Sequence, residues 1–128
     1  MSKRQSAPLM IPPVTAVEEL GTIKEVILLN LLMSVFERDA RVLQESKLKT
    51  KQPYIDLVQR AMDAVAADLA ALRRRLRKKG IKITDERRDA EGVGCVYWCR
   101  GYKNSFEMLW HFARAETEVR MRKYFGED

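Results

Sequence analysis

Histidine occurs once in this 128-residue chain, as His111, and cysteine twice, as Cys95 and Cys99. A histidine-based triad or metal site would have to work with that single imidazole, which falls beside Trp110 near the apolar side of a helical segment and reads as structural. Two cysteines so close together imply no disulfide framework. They sit four residues apart in a segment that reads as a strand, about 13 Å end to end at roughly 3.3 Å per residue. On a strand they share a face but neither a disulfide nor one metal ion. Only if the segment were a turn could Cys95, Cys99 and His111 converge. Proline falls early, at Pro8, Pro12 and Pro13, and then once more at Pro53. The first 13 residues therefore read as a flexible arm, without the apolar centre of a secretory signal. Long apolar runs are also missing. The most apolar stretch, Val26–Phe36, is 11 residues long and interrupted by Asn30 and Ser34, too short to span a bilayer. The sequence has no glycine-rich phosphate loop, nucleophile elbow or metal-ligand cluster. The expectation is a cytoplasmic protein that is not an enzyme, with no catalytic residue, metal, cofactor, membrane contact or small-molecule substrate.

What is present suits one domain over residues 14–128, with an ordinary apolar fraction of 46% and enough chain for a modest core. The net charge of +6 is concentrated. Residues 1–46 carry 5 basic and 6 acidic groups, and residues 84–128 carry 8 and 9, whereas residues 47–83 carry 11 and 3. That excess defines a surface rather than a general property.

The stretch that organises the reading is Pro53–Lys79. Val58, Met62, Val65, Leu69, Leu72 and Leu76 recur in steps of four and three, which places one narrow seam along a single long helix. Pro53 suits its first turn, and Gly80 supplies the left-handed residue that commonly ends a helix. Before it, Thr15–Glu18 and Thr22–Glu25 each have capping-box spacing. They predict a short helical turn at 15–20 and a main helix over 22–45, or one bent helix throughout. Ile27, Leu28, Leu31, Leu32, Val35 and Phe36 cover more than half of that helix's circumference. It is either the most buried element or a self-association face. The short link at 46–52 makes the two long helices an antiparallel hairpin.

Past Gly80 the period changes to two. Ile81–Thr84 alternates, as does Val93–Arg100, with Cys95, Tyr97 and Cys99 on one face and turn residues Asp89–Gly92 between. Asn104–Glu107 has capping-box spacing and predicts a last helix with Phe106, Leu109, Trp110, Ala113, Thr117, Met121 and Tyr124 inward. On its outer face Glu118 lies four residues from both Arg114 and Arg122. The predicted class is mainly α, α+β, in the order α-α-β-β-α.

Two surfaces stand out. Arg73, Arg74, Arg75, Arg77, Lys78 and Lys79 form a charge run with no acidic residue three or four positions upstream. Cations at a helix C-terminus complement the macrodipole, and Asp85, Glu86, Asp89 and Glu91 could fold back beside them. The functional reading is contact with phosphates or an acidic partner. No aromatic residue interleaves the run, so base stacking is not suggested. The apolar face Ile27, Leu28, Leu31, Leu32, Val35, Phe36 is the candidate for self-association. Asp39, on the inward side, would need Arg41 or Arg60 as a structural partner.

Three segments carry a resemblance. Glu37-Arg38-Asp39 with Val42, Lys51-Gln52-Pro53-Tyr54-Ile55, and Gly80-Ile81-Lys82-Ile83 running on to Arg100-Gly101-Tyr102 resemble a family of small uncharacterised proteins of Bacillus-type spore-forming bacteria and their phages. The likeness spans about residues 30–110, with the last helix and the arm matching less well. It implies a cytosolic bacterial or phage protein and transfers no site residue. The expectation is a non-enzymatic binding protein acting through protein–protein contact and self-association. The alternative is a nucleic-acid-associated protein using Arg73–Lys79.

Overall fold

The computed structural model describes residues 15–127, so the arm expected at 1–13 lies outside the described residues. Six elements follow in order: α1 (Val17–Glu45), α2 (Gln52–Lys78), β1 (Ile81–Arg88), β2 (Gly92–Cys99), β3 (Tyr102–Leu109) and α3 (Trp110–Tyr124). The class is α+β with a helical hairpin first, and the sheet has one strand more than the sequence suggested.

The start of α1 is a single helix rather than a turn plus a helix. Ala16 is the N-cap, and its N–H donates to Glu19 Oε1 at 3.0 Å, so the capping carboxylate is one residue later than the Thr15–Glu18 spacing implied. Thr15 instead shares a hydrogen bond with the Tyr97 hydroxyl at 3.1 Å. Thr22 donates to the Glu18 carbonyl at 3.0 Å, which is the bond of a hydroxyl inside a helix rather than of a cap. Gly21 therefore sits within the helix.

Of the two readings its apolar arc allows, α1 takes the first and is the most buried element. It buries Ile23, Val26, Ile27, Leu28, Leu29, Leu31, Leu32 and Phe36 together with Glu19, whereas α2 buries Val58, Ala61, Val65, Leu69 and Leu76 along one seam. The difference follows from neighbours: α2, α3 and β2 all touch α1, so its broad apolar arc is covered from several sides. The α3 end closes over it, with the Phe125 and Phe36 rings 5.5 Å apart.

After α2, Gly80 takes φ 72° and its N–H donates to the Arg77 carbonyl at 3.0 Å, which ends the helix as its spacing predicted. The sheet is antiparallel in the order β1-β2-β3. A bulge at Thr84 shifts β1 against β2 between Ile83 and Asp85. At the β1–β2 turn, Asp89 Oδ1 accepts from the N–H groups of Glu91 and Gly92 at 2.9 and 3.0 Å. The β2–β3 turn is the two residues Arg100 and Gly101, both at positive φ, the preferred geometry of a tight hairpin.

That second turn overturns the helix expected to open at Asn104. Residues 102–109 alternate in burial, with Tyr102, Asn104, Phe106 and Met108 covered and Lys103, Ser105, Glu107 and Leu109 exposed. Once Arg100-Gly101 reverses the chain, β3 is paired residue for residue with β2, and α3 begins only at Trp110. Leu109 is consequently 70% exposed instead of inward. Ala113 and Thr117 are buried on α3, with Trp110, Met121 and Tyr124 partly covered, as the helical spacing indicated. Arg120 fastens α3 to α1 through Glu25 at 2.7 and 2.8 Å.

Candidate anion-binding surface

The last two turns of α2 project their cations away from the core. Arg73, Arg74, Arg75, Arg77, Lys78 and Lys79 are all exposed, and among the described residues none forms an ion pair. The fold-back expected from the hairpin acids reaches one member of the run, indirectly. Arg73 donates to Asn30 Oδ1 at 3.1 Å, and Asn30 Nδ2 donates to Glu86 Oε2 at 2.6 Å. Asp89 is occupied by its own turn, whose backbone donors hold its carboxyl below the usual range. Asp85 and Glu91 are exposed and form no ion pair with the run among the described residues.

Between the end of α2 and the free edge of β1 lies a groove of about 520 Å³. Val26, Leu76, Ile81 and Ile83 line it, and Arg73, Arg77, Lys82 and Glu86 stand around it. The corner behind is rigidly tied. Arg100 donates to both oxygens of Glu19 and to the Lys79 carbonyl, and the Arg100 N–H donates to the Gly80 carbonyl at 2.8 Å. The Arg100 guanidinium and then the Ala16 N–H hold the Glu19 carboxyl below its ordinary value.

On β2 the side chains alternate. Val93, Cys95, Tyr97 and Cys99 are buried toward the helices, whereas Trp98 points outward and is 41% exposed. Its strand neighbours are Lys82 on β1 and Lys103 on β3, both exposed. Four residues back along β2, on the same face, Arg87 on β1 donates to Glu107 on β3 at 2.6 Å, across Gly94. Linear reading missed the Lys82–Trp98–Lys103 row because its members are 16 and 5 residues apart in sequence and meet only through strand pairing. The available signal was parity: with Cys95, Tyr97 and Cys99 inward, Trp98 had to face out.

Other residues fall elsewhere. Ile27, Leu28, Leu31, Leu32 and Phe36 are buried in this chain's own core and Val35 is partly covered, so α2, α3 and the sheet occupy the face considered for self-association. His111 is exposed on α3. Cys95 and Cys99 are free and buried, and burial pushes the Cys95 thiol up to about 11. Among the described residues no three His, Cys, Asp or Glu side chains gather as a metal-ligand set. Asp39 is partly covered, without an ion pair to Arg41 or Arg60 among the described residues. At the far end of the hairpin, Lys51 donates to the Gln44 and Ser46 carbonyls and so closes the α1–α2 link. No helix among the described residues is long and apolar enough to cross a membrane.

Comparison with known proteins places the chain. The family described as YhjD protein matches residues 15–128. The chain is also similar to the protein named "Uncharacterized protein YhjD" of Bacillus subtilis (strain 168), with 30% identity over 83 residues, or 65% of this chain and 69% of that protein. No solved structure matches it.

Proposed function

We propose that this chain, which belongs to the YhjD protein family, works by binding rather than by catalysis, and that it contacts nucleic-acid phosphates through the basic end of α2. The observation that carries this reading is the set of six exposed cations, Arg73–Arg75 and Arg77–Lys79, without an ion pair among the described residues. The macrodipole accounts for the last turn only, since its effect fades within about one turn. Arg73 and Arg74 lie further back. The pairs Arg73–Arg77, Arg74–Lys78 and Arg75–Lys79 are like charges at i,i+4, each costing about 0.2–0.5 kcal/mol. A helix end that needed only a good terminus would not carry that repulsion. Closely spaced phosphates would relieve it and release counterions on binding.

The test is fluorescence anisotropy of a labelled duplex and a labelled single strand at low and near-physiological salt. Binding should weaken by orders of magnitude as salt rises, and should vanish when Arg73, Arg74, Arg77 and Lys78 become Gln. No binding at low salt overturns the reading.

A second reading, contact with protein, has its own observation. Val42, Leu48, Tyr54 and Leu57 are large apolar side chains with 57, 49, 55 and 38% exposure, all at the α1–α2 turn end of the hairpin. Self-association through this tip would appear in light scattering, would be insensitive to salt, and would be abolished by Tyr54→Ser with Leu57→Ser. A strict monomer at high concentration removes it.

A further inference from the structure

We propose that the outward face of the sheet is a base-stacking platform, in which Trp98, flanked by Lys82 and Lys103, holds an unpaired base of a single-stranded nucleic acid. This rests on the reading of α2 as a phosphate-contacting surface and specifies the kind of nucleic acid.

Trp98 lies on the middle strand, on the face opposite to the helices, and keeps 41% of its surface exposed. Lys82 and Lys103 are its direct partners on the two edge strands. Paired residues in antiparallel strands are about 4.5–5.5 Å apart at Cα, so the row spans about 10 Å across the sheet. Both lysines can reach phosphates on either side of a base laid on the indole. Among the described residues neither lysine forms an ion pair, and no cation–π contact involves Trp98. The neighbouring acids do not cancel the row: Glu107 is paired with Arg87, Glu86 lies opposite the inward Cys95 with its carboxylate on Asn30, and Asp85, opposite Val96, sets one carboxylate against the two lysines.

The row also adjoins the basic helix end. Lys82 borders the same groove as Arg73 and Arg77, and β1 begins directly after Gly80. Cations thus continue from α2 over the edge strand to the tryptophan. A duplex hides its base faces within its own stack and offers only phosphates and groove edges. A single strand offers the flat faces that an exposed indole can cover, and stacking of this type tolerates any base. The occupant is therefore single-stranded, with its backbone following the cations.

The test compares strands of equal length and charge, with and without bases. Anisotropy is measured for oligothymidylate, oligouridylate and an abasic deoxyribose-phosphate strand against the wild-type chain, Trp98→Ala, Trp98→Phe, and Lys82→Gln with Lys103→Gln. Wild type should hold at least one of the base-bearing strands roughly 10-fold tighter than the abasic strand. Trp98→Ala should erase that difference, and Trp98→Phe should keep part of it; a difference that survives Trp98→Ala overturns the platform. The double lysine variant should lower binding of all strands and reduce the salt slope. Equal binding of abasic and base-bearing strands by wild type overturns the platform while leaving phosphate contact by α2 intact. Failure of every strand to bind, at low salt, instead removes the phosphate reading itself.

Discussion

Glu19 and Arg100 stand 81 residues apart and meet at two points, with Arg100 Nη1 donating to Oε2 at 3.1 Å and Nη2 to Oε1 at 3.2 Å. The same carboxylate caps the first turn of α1, and the same guanidinium reaches the Lys79 carbonyl at the end of α2. One corner therefore joins the start of α1, the end of α2 and the β2–β3 turn, and it sets where the basic helix end lies relative to the sheet.

This corner makes stability depend on acid. The Glu19 carboxyl is held below its ordinary 4.5 by the Arg100 hydrogen bonds first and the Ala16 N–H second, and Glu116 is lowered likewise by Arg120. A carboxylate with a depressed folded-state value contributes stability that is complete above the unfolded value and is lost as pH falls through the folded one. The thermal midpoint should hold near neutrality and fall as pH drops below 4.5. Glu19→Gln should be less stable at neutral pH and show a shallower fall. Parallel curves for variant and wild type would contradict this.

Two glycines should respond in opposite directions. An added methyl at Gly21 meets nothing within 4 Å, inside a helix. Gly21→Ala should stabilise by about 0.5–1 kcal/mol. At Gly94 a Cβ would come to 2.5 Å from the Phe106 carbonyl oxygen, so Gly94→Ala should destabilise by about 1–3 kcal/mol. Urea midpoints at constant slope read both changes.

Leu32, fully buried on α1, separates a core role from an interface role. Leu32→Ala should cost about 2–5 kcal/mol and leave the particle size unchanged in light scattering. A change in size with little loss of stability would return this face to self-association.

The thiols give a chemical check. Cys95 and Cys99 are buried and free, and burial raises the Cys95 thiol to about 11. A colorimetric disulfide reagent at pH 8 should react slowly with the native protein and promptly with both thiols in denaturant, since the thiolate is the reactive form. Prompt native reaction would show that β2 opens locally.

Much of the fold is legible locally. The steps of four and three in Val58–Leu76, Gly80 as a terminator, and the alternation through Cys95, Tyr97 and Cys99 all describe elements that form as the pattern implies. The start of α3 is different. Asn104-Ser-Phe-Glu107 fits a capping box and also fits period two, and only the Arg100-Gly101 reversal and pairing to β2 decide for a strand. Linear spacing cannot choose between two periods over so short a segment.

The sequence by itself determined the helical hairpin, the strand parity that turns Trp98 outward, and a segment carrying 11 basic and 3 acidic groups over residues 47–83. These follow from neighbours a few positions away, where side-chain direction repeats with a fixed period. Only the tertiary structure decided that the broad apolar arc of α1 is covered by α2, α3 and β2 of the same chain. It also decided that most cations of α2 meet no carboxylate among the described residues, and that Lys82 and Lys103 flank Trp98. Burial and charge pairing depend on what lies across space, and strand register brings together residues whose order along the chain carries no sign of it.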